Sequence, residues 1–206
     1  NPEDELEKIV NRKVGVITLA DEDYPTNLKN IHDPPLVLYY RGNYKKEAFE
    51  KSIGIVGTRK PSYSGKKVAY KLSYELSELG ISVISGLALG IDTESHRGCL
   101  KAENSFTVAV LGCGVNIAYP KSNNKLYSEI VEKGLIVSEY EPGTPPDAWR
   151  FPARNRIISG MSKAVLVIEA GEKSGALITT DFALEQGRDV MATPGDILNT
   201  MSKGPN

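Results

Sequence analysis

The chain has 206 residues, 40% of them hydrophobic, which allows one large domain or two small ones with a sizeable core. Its formal net charge of −1 excludes a global field that would gather polyanions, so any such site must be a local patch. Cys99 and Cys113 are the only cysteines and form no C-x-x-C, which argues against a disulfide scaffold or zinc site and for a reduced, cytoplasmic setting. No apolar run nears the ~20 residues that span a bilayer, and no signal peptide is visible, so membrane insertion is not expected.

Taken in chain order, "VGVITL" (14–19) and "LVLYY" (36–40) read as short strands. Between them, "DEDYPTNLKNIHDPP" is a loop or one short helix. "IGIV" (53–56) is a continuous apolar run of the kind buried on both faces of a sheet. Val68, Leu72, Leu76 and Leu79 then recur at helical spacing, stopped by Gly80. "ISVIS" (81–85) is the next strand and turns at Gly86, after which Asp92 can cap a helix running to about Ala102. "FTVAVL" (106–111) is a further core strand. Ser122 is expected to cap a helix with Leu126, Ile130 and Val131 on one face, ending at Gly134. "LIVSEY" (135–140) is a strand and "EPGTPPDAW" a loop; a short helix over 154–161 leads into "AVLVIEA" (164–170). Ser174 caps "GALITTDFALEQ", which Gly187 stops before the strand "DVMAT" (189–193).

Strands and helices of these lengths, alternating, predict an α/β fold: a mostly parallel central sheet with helices on both faces, the two early strands added at an edge. Ligands of such sheets bind beyond the carboxyl ends of the strands. The turns at 57–59, 85–90, 112–121 and 169–175 are therefore expected to meet along one edge.

Charge is segregated among these turns. Residues 57–74 carry Arg59, Lys60, Lys66, Lys67 and Lys71 without an acid, and residues 148–168 carry Arg150, Arg154, Arg156 and Lys163 without an acid. In "GTRKPSYSGKK" the turn at Gly57 lets backbone approach a ligand, and the following helix offers N–H groups and a positive dipole end. Arg59 adds a planar fork suited to phosphate. "GCGVNIAYPKSN" (112–123) contains G-x-G, but Ile117 holds the third glycine position and Tyr119–Pro120 blocks the helix a dinucleotide turn needs. That loop brings Lys121 to the mouth of the sheet. In "FPARNRIISG" (151–160), arginines two apart cannot share a helix face, so one of them anchors structure, with the acids of 139–147 as partners. Trp149 and Phe151 read as core more readily than as platforms for bases. "AGEKSGALITT" (170–180) is a second Gly-rich loop entering a helix, and an unspecific anion site. Catalytic machinery is thin. His96, four residues after Asp92, suits a structural hydrogen bond better than proton transfer, and no metal-ligand spacing or paired-carboxylate motif stands out.

Together, "IGIVGTRKPSYSG", "VISGLALGIDTESHRGCL", "VAVLGCGVNIAYPKSN", the long block from "IVSEYEPG" to "DVMATPG" and the terminal "SKGPN" resemble the DprA (Smf) family of bacterial DNA-processing proteins. The resemblance runs from about residue 14 to the end. It implies an extended Rossmann-like, three-layer fold and a single-stranded DNA-binding protein of natural transformation. Such proteins form homodimers, protect incoming DNA and help load a RecA-type recombinase, with single-strand-binding protein as a further partner. It implies no catalytic residue, metal or cofactor. Carried over by position, Arg59 and Lys121 are the principal DNA contacts. The wider set of DNA- or phosphate-binding candidates adds Gly57, Thr58, Lys66, Gly86, Asn123, Arg154, Asn155, Arg156, Ser174 and Gly175. By the same resemblance, residues 1–13 are a remnant of, or linker from, an N-terminal helical domain, residues 14–206 form the DNA-binding domain, and a C-terminal winged helix is absent. The alternative is a nucleotide-hydrolysing enzyme like the phosphoribohydrolases. Their P-G-G-x-G-T-x-x-E should fall at 169–179, where this chain reads "EAGEKSGALIT". An NAD(P)-dependent oxidoreductase is disfavoured by the failed dinucleotide fingerprint.

Overall fold

The computed structural model describes residues 14–196 and 198–206, so the expectation for residues 1–13 lies outside the described residues. All eight expected strands are present: β1 (Gly15–Thr18), β2 (Val37–Gly42), β3 (Ser52–Val56), β4 (Ser82–Ser85), β5 (Thr107–Val110), β6 (Leu135–Ser138), β7 (Ala164–Val167) and β8 (Asp189–Ala192). They form one sheet in the order β1-β2-β6-β5-β4-β3-β7-β8. From β6 to β8 every pairing is parallel, while β1 and β2 are added antiparallel. The helices are α1 (Thr26–Lys29), α2 (Tyr63–Glu78), α3 (Ile91–Cys99), α4 (Asn124–Lys133), α5 (Arg150–Met161) and α6 (Gly175–Glu185).

The period of two along each strand sorts the core into layers. Val56, Ile84, Val108, Val110, Val137 and Val167 face α1, α5 and α6 through Leu28, Ile157, Met161 and Ala183. Their alternates, Ile55, Val83, Ala109, Ile136 and Leu166, meet Ala69 of α2, Ile91 of α3 and Leu126 and Ile130 of α4. Burial on both faces explains why these strands read as unbroken apolar runs. Helix α2 lies close on α3 because its inward line is small: Gly65, Ala69, Ser73 and Ser77 are all buried, and Ser73 Oγ donates to Ser95 O at 2.5 Å.

Three helix starts differ from expectation. Helix α5 begins at Arg150 instead of 154, because Pro152 sits in its first turn, where a missing N–H costs nothing. Ser122 caps no helix; Lys121–Asn123 forms a 3-10 turn and α4 starts at Asn124. Asp92 is not a cap either. Gly90 precedes α3, and the Asp92 carboxylate instead accepts from Gly86 N at 3.0 Å and Ala88 N at 3.4 Å. Ser174 does cap α6, accepting from Ala176 N.

His96 makes the structural hydrogen bond expected of it: Nδ1 lies 2.7 Å from Thr107 Oγ1 in the closed core. Burial, with Arg154 nearby, pulls its pKa down to about 3. Below pH ~6.5 the unfolded chain takes up a proton that the folded chain refuses, so stability falls with pH by about 1.4 kcal/mol per unit until pH ~3. Urea midpoints measured from pH 7 to pH 4 are expected to carry this one-proton slope, and His96→Gln to flatten it. An identical slope in the variant would refute the assignment.

Candidate nucleic-acid interface

The strand order reverses at β3. Its successors β4, β5 and β6 run off to one side, while β7 and β8 lie on the other. A doubly wound sheet opens its crevice at such a switch point. Here the crevice is a cavity of about 620 Å³ walled by Gly57, Arg59, Tyr119, Phe151, Asn155, Ser174 and Gly175, among others. Loops distant in sequence thus meet at one edge, as expected.

Each wall has a local cause. At the end of β3, Thr58 N donates to Glu169 O at 2.6 Å and Ile91 N donates to Thr58 O at 3.2 Å, which stitches the turn to the β7 loop and to α3. Only glycine fits at position 57: a Cβ there would lie 2.6 Å from Ile91 Cγ1 and 2.8 Å from Glu169 O. The turn delivers Arg59 to the rim, exposed, its guanidinium carbon 5.7 Å from the centre of the Phe151 ring. Tyr119 stacks on the same ring, with centroids 5.3 Å apart and an interplanar angle of 20°. Lys121 follows the cis Tyr119–Pro120 bond and is exposed. Among the described residues, the side chains of Arg59, Lys121 and Lys66 have no ion-pair or hydrogen-bonding partner. At α6, Gly175 is open to solvent and its carbonyl accepts from Asn155 Nδ2 at 3.2 Å.

The start of α2 corrects the expectation of a free dipole end. The Glu169 carboxylate accepts from Ser62 N at 2.8 Å and Ser62 Oγ at 2.6 Å, while Ser62 Oγ caps Gly65 N. A carboxylate from the β7 loop already fills the positive end of α2. The helix start at the cavity that no carboxylate fills is α6, capped by its own Ser174.

Other candidates are framework. Arg154 is buried and its Nη1 donates to Gly86 O at 2.8 Å and to Val110 O. Burial pulls this guanidinium down to about 10, against the pull of Asp92, so it is charged at neutral pH. Burial raises the Asp92 carboxyl, opposed by Arg154 and the two backbone amides. Gly86 closes the cluster, since a Cβ there would sit 2.8 Å from both Arg154 Nη2 and Asp92 Oδ2. Asn123 is buried and donates to Leu87 O at 3.0 Å and Thr93 Oγ1 at 2.9 Å. It thereby pins a loop in which Leu87 holds a φ of 57°, a strained value for that residue. Arg156 grips Glu139 with two bonds of 2.8 and 2.7 Å and Asp33 at 3.1 Å. Sequence reasoning expected one arginine of this pair to be an anchor; both are. It also put Trp149 and Phe151 in the core. Trp149 is 59% exposed, and Phe151 lines the cavity beneath Arg59. The stacking role of Tyr119 was not foreseen, although an aromatic residue beside a loop proline was its signal.

With the geometry in place, the comparisons are decisive. A family model described as DNA recombination-mediator protein A matches residues 15–206. The chain belongs to that family. It is 46% identical over 197 residues to the Smf protein of Synechocystis sp., covering 94% of this chain and 49% of that protein. The crystal structure of DNA processing protein A from Streptococcus pneumoniae superposes with a TM-score of 0.89 at 40% identity, covering 98% of this chain and 70% of that one. That of Helicobacter pylori, described with its single-stranded DNA binding mode, gives 0.82 at 28% identity, covering 92% and 85%. The eight-stranded Rossmann-like sheet is thus the fold of the family. The chain spans about half the length of the Synechocystis relative. Among the described residues, no helix is long and apolar enough to cross a membrane.

Proposed function

We propose that this chain binds single-stranded DNA at the β3/β7 crevice, without catalysing a reaction on it. One observation carries the reading: an open cavity with stacked aromatic walls has the exposed, unpaired Arg59 in its lining, and exposed Lys121 follows two residues after the wall residue Tyr119. Arg59 and Lys121 take successive phosphates by charge-assisted hydrogen bonds. Gly175 N, at the start of α6, and the Ser174 hydroxyl offer donors to a third phosphate, since Ser174 N, Ala176 N and Leu177 N already donate internally, and Asn155 adds a side-chain amide. The Tyr119–Phe151 pair supplies a π-face that suits any base, so the strand is held without being read. Gly57 and Thr58 shape the turn that aims Arg59, while Gly86, Asn123, Arg154 and Arg156 hold the framework. The two carboxylates that line the cavity, Asp92 and Asp147, already accept from Gly86 N and Trp149 Nε1, which weighs against nucleotide hydrolysis.

Protection of incoming DNA during natural transformation, in the cytoplasm, and hand-over to a RecA-type recombinase or to single-strand-binding protein follow the same reading, because such a grip leaves most base edges free. An anisotropy titration of single- against double-stranded oligonucleotides tests it. Single strands should bind tighter, and equal affinity for both would sink the proposal.

A second copy has a surface to use. All four residues of the edge strand β8 are exposed, Val190 and Met191 among them, and Leu184 of the neighbouring α6 is 64% exposed. An apolar open edge favours pairing. Sedimentation should give a dimer that Val190→Lys with Met191→Lys turns into a monomer; an unchanged mass would place the interface elsewhere.

A further inference from the structure

The crevice leaves one strongly charged surface unexplained. From Lys60 onward the chain turns into α2, whose buried line is the small-residue seam against α3. Its opposite, water-facing side carries Tyr63, Lys67, Lys71 and Tyr74. These positions are i, i+4, i+8 and i+11, a single ridge on a helix. Tyr63 is 75% exposed and Tyr74 38%. Lys67 Nζ lies 4.6 Å from the centre of the Tyr63 ring. Lys71 meets only Glu75, at 3.7 Å, with both side chains in solvent. Two tyrosine rings thus reach solvent on the wet face of a helix, interleaved with lysines.

We infer that this ridge is a second track for the same DNA strand, taking the nucleotides that flank those held at the crevice. Charge complementarity argues for that occupant: residues 57–74 hold five cations and no acid. Continuity argues for it too, since Arg59 and Lys60 lead directly into the helix. From Tyr63 to Tyr74 the ridge extends for ~17 Å along the 16-residue helix, room for several nucleotides. Lysines on it meet phosphates as point charges, while Tyr63 and Tyr74 offer stacking faces that tolerate any base. Because α2 runs back along the sheet, the strand would pass from the rim of the crevice over the outside of the domain. Bound length would then exceed what the crevice alone covers.

The inference rests on the proposed function, and oligonucleotide length separates the two. A strand of about 5 nucleotides fills the crevice only, whereas one of about 20 also reaches the ridge. Lys67→Ala with Lys71→Ala should leave the short strand unaffected. It should weaken the long one about fivefold or more and make its log–log salt slope shallower by ~1.4, at ~0.7 per phosphate. Tyr63→Ala with Tyr74→Ala should weaken the long strand similarly with no change of slope, because stacking releases no counterions. As a control pair, Lys29→Ala with Lys133→Ala removes equal charge, from α1 on the other face of the sheet and from the end of α4, and should do nothing. Long-strand binding untouched by both ridge variants, or reduced as much by the control pair, would overturn the track and leave the crevice standing. If the unaltered protein bound neither length, the parent reading would fall and this one with it.

Discussion

Arg59→Ala is expected to weaken binding of a short single-stranded oligonucleotide by about 10- to 150-fold, and Lys121→Ala by a similar factor. Each removes one charge-assisted hydrogen bond to phosphate, worth about 1.5–3 kcal/mol. The salt slope should become shallower by ~0.7 for each. Folding should not suffer. Both side chains are exposed, and among the described residues neither makes a hydrogen bond or ion pair, though Arg59 approaches the Phe151 ring. Arg59→Lys tests the geometry: a point charge keeps the salt slope but loses the planar fork, so an intermediate loss is expected. Anisotropy titrations at several salt concentrations measure both quantities, with thermal melts as the folding control. Full affinity in Arg59→Ala and Lys121→Ala would remove these two residues from the interface.

Arg154→Ala should act on stability instead of on DNA. It deletes the donors to Gly86 O and Val110 O and leaves the Asp92 carboxyl buried without its cation. Leaving a buried carboxyl without its compensating charge costs about 3–5 kcal/mol. Against a total of about 5–15 kcal/mol this is a large share, and a domain of this size should melt about 6–20 °C lower. Arg154→Met with Asp92→Leu removes both charges and should recover part of the loss, because no lone charge stays inside. Below its melting point the Arg154→Ala protein should bind single strands nearly as well as the parent does. A melting point within 2 °C of the parent would show that the cluster is not structural, and would return Arg154 to the list of DNA contacts.

These two arginines mark where sequence reasoning stops. Each lies in a basic segment free of acids, and nothing in the local pattern tells a guanidinium on the rim from one in the core. The helix start at 150 was missed for a related reason. Pro152 reads as loop when only its breaking tendency is counted, but in the first turn it breaks nothing. Likewise "GTRKPSYSGKK" has every feature of a helix-dipole anion site, and the anion that fills it is Glu169, 107 residues from Ser62.

By itself the sequence determined the strands, the mostly parallel sheet, the placement of turns beyond the strands' carboxyl ends, and the family. All of these follow from local periodicity, turn chemistry and motif spacing, which short-range sterics and burial enforce. Only the tertiary structure decided the order of the strands in the sheet and which charges are free. A cation is available to a ligand only when no carboxylate or carbonyl has folded against it, and those partners come from elsewhere in the chain. Among the described residues no carboxylate or carbonyl reaches the side chains of Arg59 and Lys121, and Arg59 lies over the Phe151 ring; Arg154 is consumed by Gly86 O and Val110 O, with the Asp92 charge nearby, and Arg156 by Glu139 and Asp33.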